Sequence, residues 1–375
     1  MASKVLNIEV PGEIRSLSPY PPGKPIEELE RELGLKGSIK LASNENPLGP
    51  SKKAVSAVKN ALKNLNRYPD GSCFYLKERL SRFLGFSPDS LVTGNGSNEI
   101  IELLVRTFLG RGDEAVMGEP SFAVYPLAVQ AAGGRPIRVP LKDFTLDLEG
   151  MAERVSPRTR LIFIANPNNP TGTIVKKGEL ERFMDRVPTG VIVCMDEAYR
   201  EFATSPDFPD SLGYVREGRA VIVLRTFSKI YGLAGLRVGY GVTQPVLVDF
   251  LNRVRQPFNV NSLAQAAAIA ALDDTGHVEK VRKNNILGLK YLFAELKKLG
   301  CGCVPTEANF FLMQAGDGEA LYNALLKQGV IVRPLKSYGL GEYIRVTVGT
   351  PKENRRFIET LRSIKNKNQE GAGER

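Results

Sequence analysis

Polar side chains follow three apolar runs of the chain, at the points where strands are predicted to end. The runs are continuous, as is typical of strands buried on both faces of a mainly parallel sheet, and cover residues 161–164, 191–195 and 221–224. Asn169 follows the first run, Asp196 and Tyr199 follow the second, and Lys229 follows the third. Because ligands bind beyond the carboxyl ends of parallel strands, we expect these side chains to share one crevice.

A lysine in such a crevice can act as a nucleophile, since its amine forms an imine with a carbonyl group. Residues 94–97 (GNGS) connect a strand at 91–93 to a helix that begins near Asn98, and a helix N-terminus binds phosphate. This turn departs from the dinucleotide-binding fingerprint, because Glu99 takes the place of its third glycine. The pattern therefore indicates a phosphate cup and disfavours a nicotinamide cofactor.

The elements that must position these residues fall into three predicted units. Residues 1–40 are predicted to form an arm, because their PYPPG stretch (19–23) cannot lie inside a helix. Residues 41–255 alternate apolar runs with helical segments, which predicts an α/β domain with helices on both faces of its sheet. Residues 256–375 change to helices and short strands, one of them at 330–332, which predicts a smaller α+β domain.

Composition and charge argue against a disordered protein and against a nucleic-acid-binding protein. The chain has 375 residues, 42% of them hydrophobic, which is enough for a substantial core and argues against disorder. Its net charge is +10, but acidic residues are interspersed and no run of like charges forms a nucleic-acid-binding arm. A basic surface also suits phosphorylated or carboxylate substrates. We therefore expect small-molecule substrates and no nucleic-acid partner.

Metal-binding, membrane and export signals are absent from the sequence. A single histidine and four cysteines without C-x-x-C spacing indicate no metal site. No stretch is apolar and long enough to span a bilayer, and the N-terminal residues lack the apolar region of a signal peptide. We therefore expect a cytoplasmic protein with no metal and no membrane partner.

Three motifs carry a resemblance to a known enzyme family. They are NPNNPTG (166–172), DEAY (196–199) and SK-x-x-GL-x-G-x-R-x-G (228–239), in this order and each at a strand end. Together they resemble the fold-type I aminotransferases that depend on pyridoxal phosphate, over roughly residues 41–349. The resemblance implies pyridoxal phosphate as the cofactor. It also implies a large domain with a mainly parallel seven-stranded sheet and a smaller α+β domain.

The same resemblance implies roles for the side chains of the crevice. Lys229 would bond to the cofactor aldehyde and then move the proton at the substrate α-carbon. Asp196 would keep the ring nitrogen of the cofactor protonated, so that the ring acts as an electron sink. Phe122 would stack on the ring, while Asn169 and the catalytic Tyr199 would hold its phenolic oxygen. The residues implied for the cofactor phosphate are Ser97, Asn98, Thr226, Ser228 and Arg237.

Further segments are similar to one family within this superfamily, the histidinol-phosphate aminotransferases: SNENPLGP (43–50), NRYPD (66–70) and YIRVTVGT (343–350). This similarity implies a homodimer in which Tyr68 reaches the cofactor phosphate of the neighbouring subunit. Three positions depart from many relatives, which have Ala-Asp in place of Ser97 and Asn98 and a tyrosine in place of Phe122. These departures leave the preference for the amino donor open.

The same similarity implies that Asn169, Arg333 and Arg345 bind the substrate. An arginine fork can accept both the α-carboxylate of glutamate and the phosphate of histidinol phosphate. Tyr20, in the arm, would either close over the substrate or pack in the dimer interface.

The implied reaction is transamination between L-histidinol phosphate and 2-oxoglutarate, which gives imidazole-acetol phosphate and L-glutamate in histidine biosynthesis. An aminotransferase for phenylalanine and tyrosine, or one for both substrate sets, would use the same residues. A decarboxylase of an amino-acid phosphate is a more distant alternative. Motifs do not separate these reactions, because the specificity for the substrate ring lies in side-chain packing.

Overall fold

The chain forms three β-sheets, of seven, three and two strands, within the described residues. The structure is a computed structural model and describes residues 8–19 and 23–373. In chain order its strands are β1 (Ile39–Lys40), β2 (Leu91–Gly94), β3 (Glu114–Glu119), β4 (Arg135–Pro140), β5 (Thr159–Ala165), β6 (Ile192–Asp196), β7 (Val221–Thr226), β8 (Gly239–Val242), β9 (Phe310–Gln314), β10 (Val330–Ile331), β11 (Arg333–Pro334) and β12 (Tyr343–Thr347).

The seven-stranded sheet has the order β2-β8-β7-β6-β5-β3-β4, and the predicted mainly parallel sheet is confirmed. Strand β8 is the reversed strand, since it pairs antiparallel with both β2 and β7. The strands from β3 to β7 all pair in parallel. Strands β5, β6 and β7 are central in this order and are buried from both sides, which explains their continuous apolar runs.

Alternate residues of a central strand belong to two core clusters, one on each face of the seven-stranded sheet. In β6, Val193 and Met195 pack in one cluster, whereas Ile192 and Cys194 pack in the other. A strand projects successive side chains to opposite faces, so both faces of this sheet are apolar and helices cover both. In chain order the helices are α1 (Gly12–Arg15), α2 (Ile26–Leu33), α3 (Lys52–Ala61), α4 (Phe74–Leu84), α5 (Ser97–Phe108), α6 (Val124–Ala131), α7 (Leu148–Glu153), α8 (Lys177–Arg186), α9 (Ser211–Arg216), α10 (Pro245–Val254), α11 (Ser262–Leu272), α12 (Thr275–Lys298), α13 (Gly318–Leu326) and α14 (Pro351–Gly373).

The three-stranded sheet has the order β11-β12-β9 and is antiparallel. Its core joins Phe311 and Val346 to Leu292 of α12 and Phe357 of α14. The predicted strand at 330–332 is divided between two sheets, since β10 pairs in parallel with β1 while β11 pairs with β12.

Helix α11 shares its core with the seven-stranded sheet. It packs against α3 and α4, and its Ala264 and Ala268 lie in the same core cluster as Val193. Side-chain caps begin both α3 and α11, where Ser51 accepts a hydrogen bond from Ala54 N and Asn261 accepts one from Ala264 N. The division of the chain after residues 40 and 255 stays a prediction.

Candidate active site

The carboxyl ends of β5, β6 and β7 open into one cavity. Their last residues, Ala165, Asp196 and Thr226, all line it. Strands β11 and β12 of the three-stranded sheet also reach this cavity. The residues predicted from the sequence that line it are Ser97, Asn98, Phe122, Asn169, Asp196, Tyr199, Thr226, Ser228, Lys229, Arg237, Arg333 and Arg345.

Lys229 lies in the loop after β7 and extends its amine into the cavity. Its Nζ donates a hydrogen bond of 3.1 Å to the carbonyl oxygen of Ser43. The same amine lies 5.4 Å from the centre of the Tyr199 ring. These contacts place a primary amine where it can meet the carbonyl group of a ligand.

Asp196 ends β6 and is only 6% exposed. The Tyr125 hydroxyl donates a hydrogen bond of 2.7 Å to its Oδ2, and Ala198 N donates one of 3.2 Å to its Oδ1. Burial raises the pKa of the Asp196 carboxyl, and these two hydrogen bonds oppose that rise. The carboxylate is therefore oriented by fixed donors, which suits it to hold a protonated nitrogen.

Tyr199 and Asn169 offer uncharged polar groups to the same cavity. Burial raises the pKa of the Tyr199 hydroxyl, so this side chain is a neutral phenol near pH 7. Its oxygen accepts a hydrogen bond of 3.0 Å from Asn44 Nδ2. Asn169 Oδ1 accepts a hydrogen bond from Arg345 Nη1, which fixes the orientation of the amide.

A cup for an anion forms where β2 turns into α5. Gly96 precedes the helix with a φ of 78°, and a Cβ at this position would lie 2.5 Å from Arg237 Nη2. Glycine therefore allows the guanidinium to approach the N-terminus of α5. Arg237 Nη1 also donates a hydrogen bond of 3.3 Å to Ser228 Oγ. Helix amides and an arginine fork together suit a phosphate group.

Arg333 and Arg345 form a pair on adjacent antiparallel strands, where their Cα atoms are register partners. They are 8% and 6% exposed, although both line the cavity. Arg345 Nη2 donates a hydrogen bond of 2.6 Å to Ala42 O, and its guanidinium lies 5.2 Å from the centre of the Phe310 ring. Two buried cations facing one cavity suit a ligand that carries an anionic group.

Three aromatic residues predicted for the site have different positions. Phe122 lines the cavity and meets Tyr125 edge to face, with ring centres 5.5 Å apart. Tyr68 is 82% exposed, lies outside the cavity and stacks on Phe258 at 4.8 Å. Tyr20 lies outside the described residues.

Comparison with known proteins decides the family. A sequence model of the family described as aminotransferase class I and II matches residues 36–361. The chain belongs to this family. It is therefore an enzyme, an aminotransferase, and the resemblance found in its motifs is confirmed.

This aminotransferase is similar to proteins of several bacteria. It is 53% identical to the histidinol-phosphate aminotransferase of Moorella thermoacetica over 353 residues, which cover 94% of this chain and 92% of that relative. It is 49% identical to histidinol-phosphate aminotransferase 2 of Carboxydothermus hydrogenoformans, with 94% and 98% covered.

Among solved structures, the histidinol-phosphate aminotransferase of Sinorhizobium meliloti in complex with pyridoxal-5'-phosphate has a TM-score of 0.87 and 28% identity. The match covers 97% of this aminotransferase and 100% of that chain. An aspartate aminotransferase double mutant of Thermus thermophilus, at 22% identity and with a TM-score of 0.80 over 94% and 99% of the two chains, has the same fold. The predicted fold-type I class is therefore confirmed.

The cavity residues of this aminotransferase that sequence reasoning missed include Ser43, Asn44 and Tyr125. The first two lie in the segment 43–50 that carried the family similarity, so that motif could have indicated them. Tyr125 has no local signal, because its partner Asp196 lies 71 residues away along the chain.

Within residues 8–19 and 23–373, no group of three His, Cys, Asp or Glu side chains could hold a metal ion. Over the same ranges, each helix is too short or too polar to cross a membrane.

Proposed function

We propose that this aminotransferase moves an amino group between L-histidinol phosphate and 2-oxoglutarate and gives imidazole-acetol phosphate and L-glutamate. The observation that carries the proposal is that one cavity combines the amine of Lys229 with two separate anion sites. One site is the cup between Gly96 and Arg237, and the other is the pair of Arg333 and Arg345. Relatives named histidinol-phosphate aminotransferase, at 53% and 49% identity over 94% of the chain, support this substrate.

Pyridoxal phosphate fits the donor set around the cup. The amides of α5 and the guanidinium of Arg237 suit its phosphate, because both bind phosphate through N–H groups. The Asp196 carboxylate suits a protonated ring nitrogen, and the neutral groups of Asn169 and Tyr199 suit the phenolic oxygen. When bound, the cofactor supplies an electron sink for the carbon that bears the amino group.

Lys229 and Asp196 each control the position of one proton. Lys229 Nζ removes the proton from the substrate carbon that bears the nitrogen and returns a proton on the reverse path. A positioned general base contributes about a hundredfold to ten-thousandfold to the rate of such a step. Asp196 holds the ring nitrogen in its protonated form, because an ionised carboxylate next to a nitrogen stabilises the charged form of that nitrogen.

Arg333 and Arg345 bind the anionic end of each substrate in turn. The guanidinium fork donates hydrogen bonds to the α-carboxylate of glutamate in one half of the reaction. In the other half it donates them to the phosphate of histidinol phosphate. Because both arginines are buried, their hydrogen bonds to a bound anion form with little competition from water.

The experiment that tests the substrate compares kcat/KM for L-histidinol phosphate and for L-phenylalanine, each with 2-oxoglutarate, on the enzyme loaded with pyridoxal phosphate. We expect a large preference for histidinol phosphate. Equal values, or a preference for phenylalanine, would replace this proposal by the aromatic or dual-substrate alternative. Histidinol phosphate has no carboxylate to lose, so the decarboxylase alternative is tested with a phosphorylated α-amino acid. Release of carbon dioxide from it, without formation of glutamate, would replace this proposal by a decarboxylase.

We also propose that the enzyme is a homodimer in which Tyr68 reaches the cofactor phosphate of the neighbouring subunit. Tyr68 and Phe258 are both exposed and stack on each other at 4.8 Å, and exposed apolar surface of this kind marks interaction sites.

Light scattering during gel filtration should give twice the mass of one chain, and Tyr68→Phe should weaken cofactor binding because the hydroxyl is lost. The mass of a single chain, or a Tyr68→Phe variant that binds the cofactor as tightly as the wild type, would contradict the dimer proposal. The cytoplasmic location inferred from the sequence stays a prediction.

A further inference from the structure

A largely buried group of three charged side chains lies at the ends of β6 and β7 and takes no part in the proposed mechanism. Arg225 of β7 pairs with Glu197, at 2.5 Å between Nη2 and Oε2, and with Glu201, at 3.3 Å between Nη1 and Oε1. Glu197 is 1% exposed, and its Oε1 has no hydrogen-bond partner among the described residues. We call Glu197, Glu201 and Arg225 the Arg225 cluster.

The Arg225 cluster lies on the face of the seven-stranded sheet opposite to the cavity. Asp196 and Glu197 are consecutive, as are Arg225 and Thr226, so the two members of each pair project to opposite faces. Asp196 and Thr226 line the cavity. Tyr240 is the register partner of Arg225 and packs in the core cluster of the other face.

The cluster ties together the ends of two strands that deliver catalytic groups. Glu197 N donates a hydrogen bond of 3.0 Å to Leu224 O, so the backbones of the two segments already run side by side. The ion pair between Glu197 and Arg225 adds a side-chain contact beside this backbone hydrogen bond. One strand end carries Asp196, and the other leads directly to Lys229.

The Glu197 carboxylate beside Asp196 would disfavour the ionised form of Asp196 if no cation balanced its charge. Burial is the main cause that raises the pKa of Asp196, and the charge of Glu197 raises that pKa further. Burial also raises the pKa of Glu201, and the charge of Arg225 opposes this rise. Burial acts to lower the pKa of Arg225, but the two carboxylates outweigh it, so the guanidinium stays charged.

The other side chains around Asp196 and the cluster are mainly phenols and a thiol. Burial raises the pKa of these groups, so they are neutral near pH 7 and do not balance the carboxylates. Two cations outside the cluster also contribute. The charge of Lys229 acts to lower the pKa of Asp196, and the charge of Arg79 acts to lower the pKa of Tyr231. The neutral groups are Tyr125, Cys194, Tyr199, Tyr231 and Tyr240.

We propose that Arg225 is a positioning residue: its ion pairs lock the ends of β6 and β7 together and balance the negative charge behind Asp196. The inference rests on the proposed function of the cavity, since Asp196 must stay ionised in order to hold a protonated ring nitrogen. Arg225 itself touches neither the substrate nor the reacting atoms.

The test compares Arg225→Met with Glu197→Gln, which change the charge behind Asp196 in opposite directions. Loss of the cation leaves unbalanced carboxylates, so the acid limb of the pH profile should move to higher pH in Arg225→Met. Loss of the neighbouring carboxylate should move the acid limb to lower pH in Glu197→Gln. The double variant should fall between the two, because its changes compensate.

Two readouts are taken on the enzyme loaded with pyridoxal phosphate. The first is the pH dependence of the visible absorbance of the bound cofactor, and the second is the rate of the half-reaction with glutamate. The rate should fall roughly tenfold to a hundredfold in Arg225→Met, as expected when reacting groups lose their alignment. Arg225→Lys should restore most of the rate and the wild-type acid limb, since it keeps the charge.

Arg158→Met is the matched control. Arg158 pairs with the buried Glu114 at 3.0 Å, and Glu114 begins β3, at the end of the sheet away from the cavity. This variant should lower the midpoint of thermal unfolding and leave the acid limb unchanged. The control separates loss of a buried ion pair from loss of the charge balance behind Asp196.

The proposal fails if Arg225→Met and Glu197→Gln move the acid limb in the same direction, or if neither moves it while both bind the cofactor. If Arg225→Met does not fold, the isosteric Glu197→Gln decides alone, since an unchanged acid limb overturns the proposal. These readouts use glutamate and cofactor absorbance, so they do not depend on the second substrate. A wild-type enzyme that rejects histidinol phosphate therefore refutes the proposed function separately.

Discussion

The two anion sites of the cavity are built from different parts of the chain and in different ways. The cup depends on backbone conformation, since Gly96 and Arg237 both have a positive φ and flank the paired strands β2 and β8. The arginine pair depends on side chains, because Arg333 and Arg345 project from regular antiparallel strands. The first site belongs to the seven-stranded sheet and the second to the three-stranded sheet.

This contrast indicates which of the two sites tolerates substitution of its residues. A site made by backbone geometry requires glycine at a fixed position, so few substitutions preserve it. A site made by side chains on regular strands can change its chemistry through one substitution. The first arrangement suits a cofactor that stays constant, and the second suits a substrate. Variants of the two sites should therefore separate cofactor binding from substrate binding.

The largest effect is expected at Lys229, which lines the same cavity as the two sites. Lys229→Ala removes the general base, so turnover should fall by about a hundredfold to ten-thousandfold or more. The visible absorbance of the bound cofactor should also change, since the covalent link is lost. Equilibrium dialysis should still detect bound cofactor, because the cup remains. Turnover close to that of the wild type would remove the central role given to this lysine.

The second effect is expected at the cup. Gly96→Ala places a Cβ at 2.5 Å from Arg237 Nη2 and moves the guanidinium away. A lost charge-assisted hydrogen bond is worth about 1.5 to 3 kcal/mol, so the Kd for pyridoxal phosphate should rise by about tenfold to a hundredfold.

Gly85→Ala is the matched control for this variant. Gly85 also has a positive φ, of 71°, but a Cβ there would meet no atom within 4 Å. The control should lose about 1 to 2 kcal/mol of stability through backbone strain and keep its cofactor affinity. Equal cofactor affinity in both variants would contradict the cup.

The third effect is expected at the arginine pair. Arg345→Lys loses the fork that reaches both Asn169 and Ala42, so kcat/KM for glutamate should fall by roughly tenfold. The Kd for pyridoxal phosphate should rise much less than in Gly96→Ala, because the cup is intact and only the Asn169 contact to the cofactor is affected. A variant that loses cofactor affinity but keeps its KM would show that the two sites are not separate.

The smallest effect is expected at Tyr125. Its hydroxyl opposes the rise that burial causes in the pKa of Asp196, so Tyr125→Phe should raise that pKa further. Asp196 is then protonated at a higher pH, and activity should be lost at a higher pH on the acid side. At neutral pH the loss should be less than about tenfold, as for one hydrogen bond. An acid limb that moves to lower pH would contradict this assignment.

Strand ends and turns could be read from the sequence because their signals are local. The runs at 161–164, 191–195 and 221–224 are strands of the sheet, and the polar residues after them line the cavity. The hydrogen bond between Tyr125 and Asp196 could not be predicted, because no local sequence pattern near either residue shows that the two lie close together. The division of 330–332 between two sheets also depends on distant partners, one of them Ile39.

Strand β1 connects residues that are far apart in the order of synthesis. Leu41 N donates to Ile331 O, and Thr347 N donates to Leu41 O, directly before the cavity residues 42–44. The ribosome must therefore add residue 331 before the first bond can form and residue 347 before the second can form. Contacts across such separations form slowly, because the intervening loop must close first. A growing chain can thus build its seven-stranded sheet early, whereas catalytic competence arises only near the end of translation.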